Sequence, residues 1–285
     1  MLGLEDLSRR HGLSYNLHIL ETKAQRVTGR ERYGTSLIQY AASLGLLSPR
    51  TTVIHAVWVD AADMETLARH GASVAHNPIS NLRLGSGVMP FRGLRDHGVN
   101  ICLGTDEATT DDTHNLWIVG KLCGMIHTLS DSDYRRWPAP AEVLHALTHG
   151  GARSMLQERE TGRLAPGYRA DIQLLNLRTS AFVPLNDLHA QLVFCETGSS
   201  VDTVIVDGRI VVRDGKVHTV DEEALRQSVE ELMPRYREHY ARALRWVERL
   251  EPYYTEVYRR CAAQDVGFSR WLAGPQDVGT KGAMP

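Results

Sequence analysis

No two of the four cysteines, Cys102, Cys123, Cys195 and Cys261, are close enough to form a CxxC pair. That spacing argues against a disulfide framework or a structural zinc knuckle, and for a reducing compartment. The sequence also lacks a signal-peptide pattern and any apolar run of about 18 residues, so a cytoplasmic protein with no membrane partner is expected. Excess charge is missing too: 32 Lys and Arg stand against 34 Asp and Glu, a net charge of -2. Neither nucleic acid nor an anionic membrane has an electrostatic reason to bind. There is no internal repeat and no low-complexity segment. What remains is a chain of 285 residues, 42% hydrophobic and 23% charged, with material for one large domain or two smaller ones.

Strand-like and helix-like patterns alternate through the first part. Strands are expected at 15–20, 52–57, 72–76 and 99–104. Helices are expected at 34–47, 61–70, 89–97, 113–128, 139–148 and 151–157, after a short helical start at 1–12. Gly71 and Gly98 suit helix ends. Such alternation with short connections predicts a parallel sheet flanked by helices. A second region begins near Gly162, where 171–177 and 201–212 are rich in Val, Ile and Leu, and Asp207-Gly208 suits a tight hairpin. From 221 to about 273 the pattern is helical, with Leu225, Val229, Leu232, Tyr236, Tyr240, Leu244 and Val247 stepping by three or four. This amphipathic helix is expected to pack on the domain, followed by a frayed tail after Gly274. The expected division is 1–161, 162–220 and 221–285.

The chemistry sits where the first four strands end. The segments are Asn16-Leu-His-Ile-Leu-Glu-Thr22, Val53-Ile-His-Ala56, Val74-Ala-His-Asn-Pro-Ile-Ser-Asn81 and Leu103-Gly-Thr-Asp106. Taken singly, His18 and His55 read as partly buried histidines, and Asp106 could serve as a helix N-cap. Taken together, imidazoles and carboxylates at successive strand ends are how a (β/α)₈ barrel assembles an active site. They are also the usual ligands of zinc and similar divalent ions. Such an ion lowers the pKa of bound water from ~15.7 toward ~7, and hydrolysis then needs a base and an acid. Other eye-catching residues read as structural. Asp111 and Asp112 suit a cap for the next helix, and His145 and His149 suit surface or packing positions.

These four segments resemble the amidohydrolase superfamily, in its S-adenosylhomocysteine/methylthioadenosine deaminase and triazine hydrolase branch, next to the guanine and cytosine deaminases. Gly162-Arg-Leu-Ala-Pro-Gly-Tyr-Arg-Ala-Asp171 and Val201-Asp-Thr-Val-Ile-Val-Asp-Gly208 resemble the chain's return into the family's small β-sandwich. The resemblance implies an α/β fold: the carboxyl-terminal half of a (β/α)₈ hydrolase barrel, part of the sandwich and a helical tail. It implies one divalent metal, zinc ahead of iron, held by His18 and Asp106. Asp106 would also act as base, Glu21 as acid, and His55 would hold the attacking water or substrate. His76, Asn77 and Asn81 would face the substrate, with Trp58 where relatives often carry a second histidine. The implied activity is hydrolysis of C–N bonds other than peptide bonds, removing an amino or similar group from a purine, pyrimidine or triazine ring by metal-bound hydroxide.

The family's His-x-His pair from the first barrel strand occurs nowhere in the chain, and Glu107 follows Asp106 where a small residue is common. The first recognisable strand corresponds to the fifth of the family barrel, whose full length is ~250 residues. The expectation is therefore a chain that turns over weakly alone and associates with itself or with a complementary amino-terminal half. The alternative is a non-catalytic fragment or interaction subunit that needs the same half.

Overall fold

Residues 2–272 are described by the computed structural model. Its first part contains α1 (Leu2–His11), β1 (Tyr15–Ile19), α2 (Lys23–Tyr33), α3 (Leu37–Ser43), β2 (Thr51–His55), α4 (Ala61–His70) and β3 (Ser73–His76). There follow α5 (Pro78–Arg83), α6 (Phe91–Asp96), β4 (Asn100–Leu103), α7 (Ala108–Asp111) and α8 (Leu116–Ile126). A 3-10 turn at His127–Leu129 extends α8, and α9 (Pro140–Leu147) and α10 (His149–Ser154) complete this part. Strands β1 to β4 pair in sequence order, all parallel, as the alternation predicts. Among the described residues β1 and β4 each have one strand neighbour, so the sheet is an open half of a barrel.

The pleat decides which residues face the site. Val53, Val74 and Ile101 are register partners and pack into one core with Leu67 of α4, Leu94 of α6 and Cys123 of α8. They face the helices. The alternate row, His18, Ile54, Ala75 and Cys102, faces the other way, into what a closed barrel would enclose.

The helix expected over 34–47 is the shorter α3, Leu37–Ser43, and α2 precedes it where none was expected. Thr22 caps α2 by accepting from the Gln25 N–H at 3.4 Å. Gly34, at φ 68, ends it, and Ser36 starts α3 by accepting from the Ile38 N–H at 3.1 Å. Gly34 is thus a stop rather than a start. Helix α2 has almost no apolar stripe, so periodicity cannot reveal it. It is anchored instead by Arg26, whose guanidinium pairs with Asp63 at 2.6 Å and with Asp60. The expected Asp cap before α8 is corrected as well. Asn115 caps that helix, accepting from the Trp117 N–H at 2.9 Å, while Asp112 (φ 64) closes α7.

The second region holds an antiparallel sheet of β5 (Ile172–Leu175), β6 (Val201–Val206), β7 (Arg209–Arg213) and β8 (Lys216–Val217), in that order. The Asp207-Gly208 hairpin is present, with φ 49 and 77, the two positive values of a type I′ turn. Helix α11 (Leu188–Phe194) lies between β5 and β6 and ends at a loop organised by Glu196. The enclosed carboxylate accepts from the N–H groups of Thr197 (3.0 Å), Gly198 (2.6 Å) and Ser200 (3.1 Å). Burial alone would raise its pKa, but these donors outweigh it and hold the carboxyl below the usual range. Glu196→Gln is expected to cost about 1.5–3 kcal/mol at neutral pH in urea unfolding. Because the folded carboxyl titrates below the unfolded one, this cost is full above the ordinary glutamate range. It vanishes as pH falls through the folded pKa. An unchanged gap between wild type and variant under acid conditions would contradict this reading.

Helix α12 (Glu222–Ala263) is 42 residues long, starts on the Asp221 cap and contains Pro234 and Pro252. Its carboxyl end docks on α2, with Lys23 Nζ donating to the Ala262 carbonyl at 2.7 Å. The expected packing of its apolar stripe on the domain is not found. Leu225 to Val247 along that stripe are 40–60% exposed, because the described residues place no second element beside them. No described helix is long and apolar enough to cross a membrane. The tail expected to fray beyond Gly274 lies outside the described residues.

Candidate active site

Left-handed backbone at the strand ends aims the polar side chains. By alternation His55 would follow Val53 toward the helices. Its φ of 73, with Ala56 at 46, turns the imidazole to the opposite face, beside His18, with ring centroids 5.2 Å apart. Asp106, three residues beyond β4, has φ 67 and so is no N-cap; Glu107 holds that position for α7. Non-glycine residues held in this region carry a conformational cost, which is commonly found where geometry serves a site. One donor atom from each of His18, His55 and Asp106 lies within 4.8 Å of the others. Two imidazoles and a carboxylate converging from three strands fit a divalent cation of the zinc type. Glu21 joins them: His55 Nε2 is 3.8 Å from Glu21 Oε2 and 3.6 Å from Asp106 Oδ2.

One segment supports three of these groups, Asp106, His55 and Glu21. Ser80 of α5 donates to Asp106 Oδ2 at 2.6 Å, and Asn81 Oδ1 meets His55 Nδ1 at 2.9 Å. Ser86 donates to Glu21 Oε1 at 3.1 Å, and its own carbonyl accepts from Trp58 Nε1 at 2.7 Å. With the Asn81 oxygen facing Nδ1, the His55 proton belongs on Nδ1 and the lone pair on Nε2. Burial pushes the His55 pKa down, against the opposing pull of Glu21, Asn81 and Asp106. The ring is therefore neutral at pH 7, the form that binds a metal.

Of the other residues singled out in the sequence, Asn77 is buried and ties two strand ends together. Oriented to donate, its amide reaches the carbonyls of His76 (3.3 Å) and Gly104 (3.2 Å). A Cβ at position 104 would come within 2.5 Å of that amide, which explains the glycine. Trp58 is fully buried, with Trp271 edge-on at 5.0 Å, so it is placed in the core rather than on an open pocket wall. His76 is 1% exposed and has the parity of Val74, facing the helices and away from His18. The structure therefore brings together His18, Glu21, His55 and Asp106, and sets Asn77, Asn81 and Ser80 behind them. Ser86 has no signal in the sequence, being one loop residue among many. The His145 and His149 rings lie tilted with centroids 5.1 Å apart, and the Arg163 guanidinium contacts the latter at 3.2 Å, in keeping with packing.

Residues 1–211 match the amidohydrolase family. The chain belongs to this family. It is 34% identical to a 5′-deoxyadenosine deaminase of Methanosarcina mazei over 236 residues, which cover 81% of this chain and 54% of that protein. It is 36% identical to a 5-methylthioadenosine/S-adenosylhomocysteine deaminase of Thermococcus kodakarensis over 209 residues, covering 72% and 48%. Among solved structures, a zinc-bound adenosine deaminase from Xanthomonas campestris superposes with a TM-score of 0.80 at 24% identity, covering 83% of this chain and 54% of that one. A zinc-complexed atrazine chlorohydrolase from Arthrobacter aurescens gives 0.76 at 23%, covering 80% and 50%. These likenesses bear out the expected family and fold. This amidohydrolase chain spans about half the length of the relatives it matches.

Proposed function

We propose that this chain carries the carboxyl-terminal half of a metal-dependent deaminase site acting on an adenine-type nucleoside or a related heterocycle. The observation that carries the reading is the convergence of His18, His55 and Asp106, with Glu21 beside them, at the ends of parallel strands. His18, His55 and Asp106 would hold a zinc ion, which when bound makes water acidic enough to lose a proton near pH 7. Asp106 accepts that proton, its carboxylate held in rotation by the Ser80 hydroxyl. Glu21 has Oε1 fixed by Ser86 and Oε2 turned toward His55, so Oε2 is placed to deliver a proton to the ring nitrogen. His55 Nε2, between the two carboxylates, keeps its lone pair for that ion.

The open sheet supports a requirement for a partner. Asn16 and His18 on β1 are exposed on the face a closed barrel would enclose, and the outer edges of β1 and β4 have no partner among the described residues. Strand edges of this kind pair with a further strand. A complementary amino-terminal half, or a second copy, supplies it. The chain alone is expected to release little ammonia from adenine nucleosides. Mixing it with the separately produced amino-terminal half of a relative should restore both deamination and one equivalent of zinc per pair. A stable, zinc-loaded pair without deamination of any adenine nucleoside, pyrimidine or triazine tested would refute the reading.

A further inference from the structure

A second group of donors is enclosed on the helix side of the sheet, across from His18 and Asp106. His76 ends β3, while Cys123 and His127 stand one helical turn apart on α8 and its extension, and so share a face. Donor atoms of the three lie within 4.8 Å of one another, and all three residues are buried. The two imidazoles meet Nε2 to Nε2 at 3.0 Å. Only one proton fits between those atoms, and His76 Nδ1, also enclosed, has no hydrogen-bond partner.

We propose that His76, Cys123 and His127 form a second cation site, for a soft closed-shell ion, Cu⁺ in preference to Zn²⁺. The donor set selects for softness. Two imidazoles and a thiolate suit Cu⁺ and Zn²⁺, and the absence of a carboxylate from the trio disfavours Mg²⁺, Ca²⁺ and Mn²⁺. The surroundings select for low charge. Burial pushes the Cys123 thiol well up and holds His127 down at about 3 and His76 well below its usual value. The pocket thus resists net charge of either sign. On binding, the Cys123 S–H bond breaks, its proton leaves to solvent, and a metal–sulfur bond forms with no change of oxidation state. With Cu⁺ the resulting complex is neutral; with Zn²⁺ it keeps one positive charge among three buried side chains.

Access is through a neighbouring cavity of about 390 Å³ that His127 lines together with Met89, a further soft side chain. Arg92, Arg136, Arg270 and Asp131 also line it, with Arg92 paired to Glu142 and Arg136 to Asp131. Nitrogens bonded at ~2.0–2.1 Å to one ion sit roughly 3.3–3.6 Å apart. The observed 3.0 Å needs to open by only a few tenths of an ångström.

The test is copper X-ray absorption on the purified 285-residue chain, loaded anaerobically from Cu⁺–bicinchoninate. A shell of two imidazole nitrogens and one sulfur is expected. Cys123→Ser should remove the sulfur and weaken binding roughly a hundredfold, the upper end of what even indirect ligand changes cost. Cys195→Ser and Asp106→Asn should leave the shell as it was. If Cys123→Ser does not fold, His127→Gln must lose one nitrogen, and the wild-type shell alone still decides. A nitrogen- and oxygen-only shell, a two-sulfur shell, no transfer from the chelator, or a sulfur that survives Cys123→Ser would each overturn the site.

Discussion

Asp106→Asn is expected to lower kcat/KM of the reconstituted enzyme by roughly 10³-fold and to reduce bound zinc to background. The magnitude follows from the two roles proposed for one carboxylate. Loss of general acid–base help alone typically costs ~10²–10⁴, and loss of a direct ligand compounds it. The substitution is a clean one because Asn tolerates the left-handed backbone that Asp106 adopts at φ 67. The Ser80 hydroxyl keeps an oxygen to donate to, so its 2.6 Å contact need not be abandoned. Folding should therefore be preserved, and the change reports on charge. The checks are metal content per chain and ammonia release, with thermal unfolding as the control. A variant that retains zinc and loses less than about tenfold in rate would place the base elsewhere, since even indirect ligand changes cost 10–100-fold.

The parallel strands were legible because each short run, most clearly Thr51-Thr-Val-Ile-His55, alternates with helical segments and ends at or near a residue that chemistry needs. Val53, Val74 and Ile101 do fill the core between sheet and helices. Legibility stopped where the backbone, rather than composition, decides direction. Strand alternation puts His76 with Val74 on the helix side, yet positive φ takes His55 across to the other. Nothing in the residue types distinguishes those two outcomes. Helix α2 escaped notice because its sequence, rich in Lys, Arg and Gln, offers ion pairs to Asp60 and Asp63 in place of an apolar stripe. The stripe on α12 misled in the opposite sense. Periodicity shows that a face is apolar, and cannot say whether this half of a barrel supplies what covers it.

Asn81 is the residue whose part changes most between sequence and structure, from a group facing substrate to a positioning residue behind His55. Its carbonyl oxygen takes the Nδ1 proton at 2.9 Å and so keeps Nε2 bare for an ion. Asn81→Leu is close in volume but cannot accept that proton. It leaves a buried N–H unpaired, at a cost of about 1–3 kcal/mol. It also frees the ring to take the other tautomer, with the proton on the ligating nitrogen. The expected result is a zinc affinity 10–100-fold weaker in the reconstituted pair, the usual effect of removing a group that orients a metal-bound histidine. Asn81→Asp separates positioning from packing. Its carboxylate still accepts from Nδ1, so zinc binding should stay within about tenfold of wild type, less than the loss of an orienting group costs. Histidine ¹⁵N shifts should then report Nδ1–H at His55 in wild type and Asn81→Asp, and a mixture in Asn81→Leu. If all three bind zinc alike and differ only in unfolding temperature, Asn81 serves the fold alone, and the tautomer of His55 is set by its carboxylate neighbours Glu21 and Asp106, both within 4 Å of Nε2.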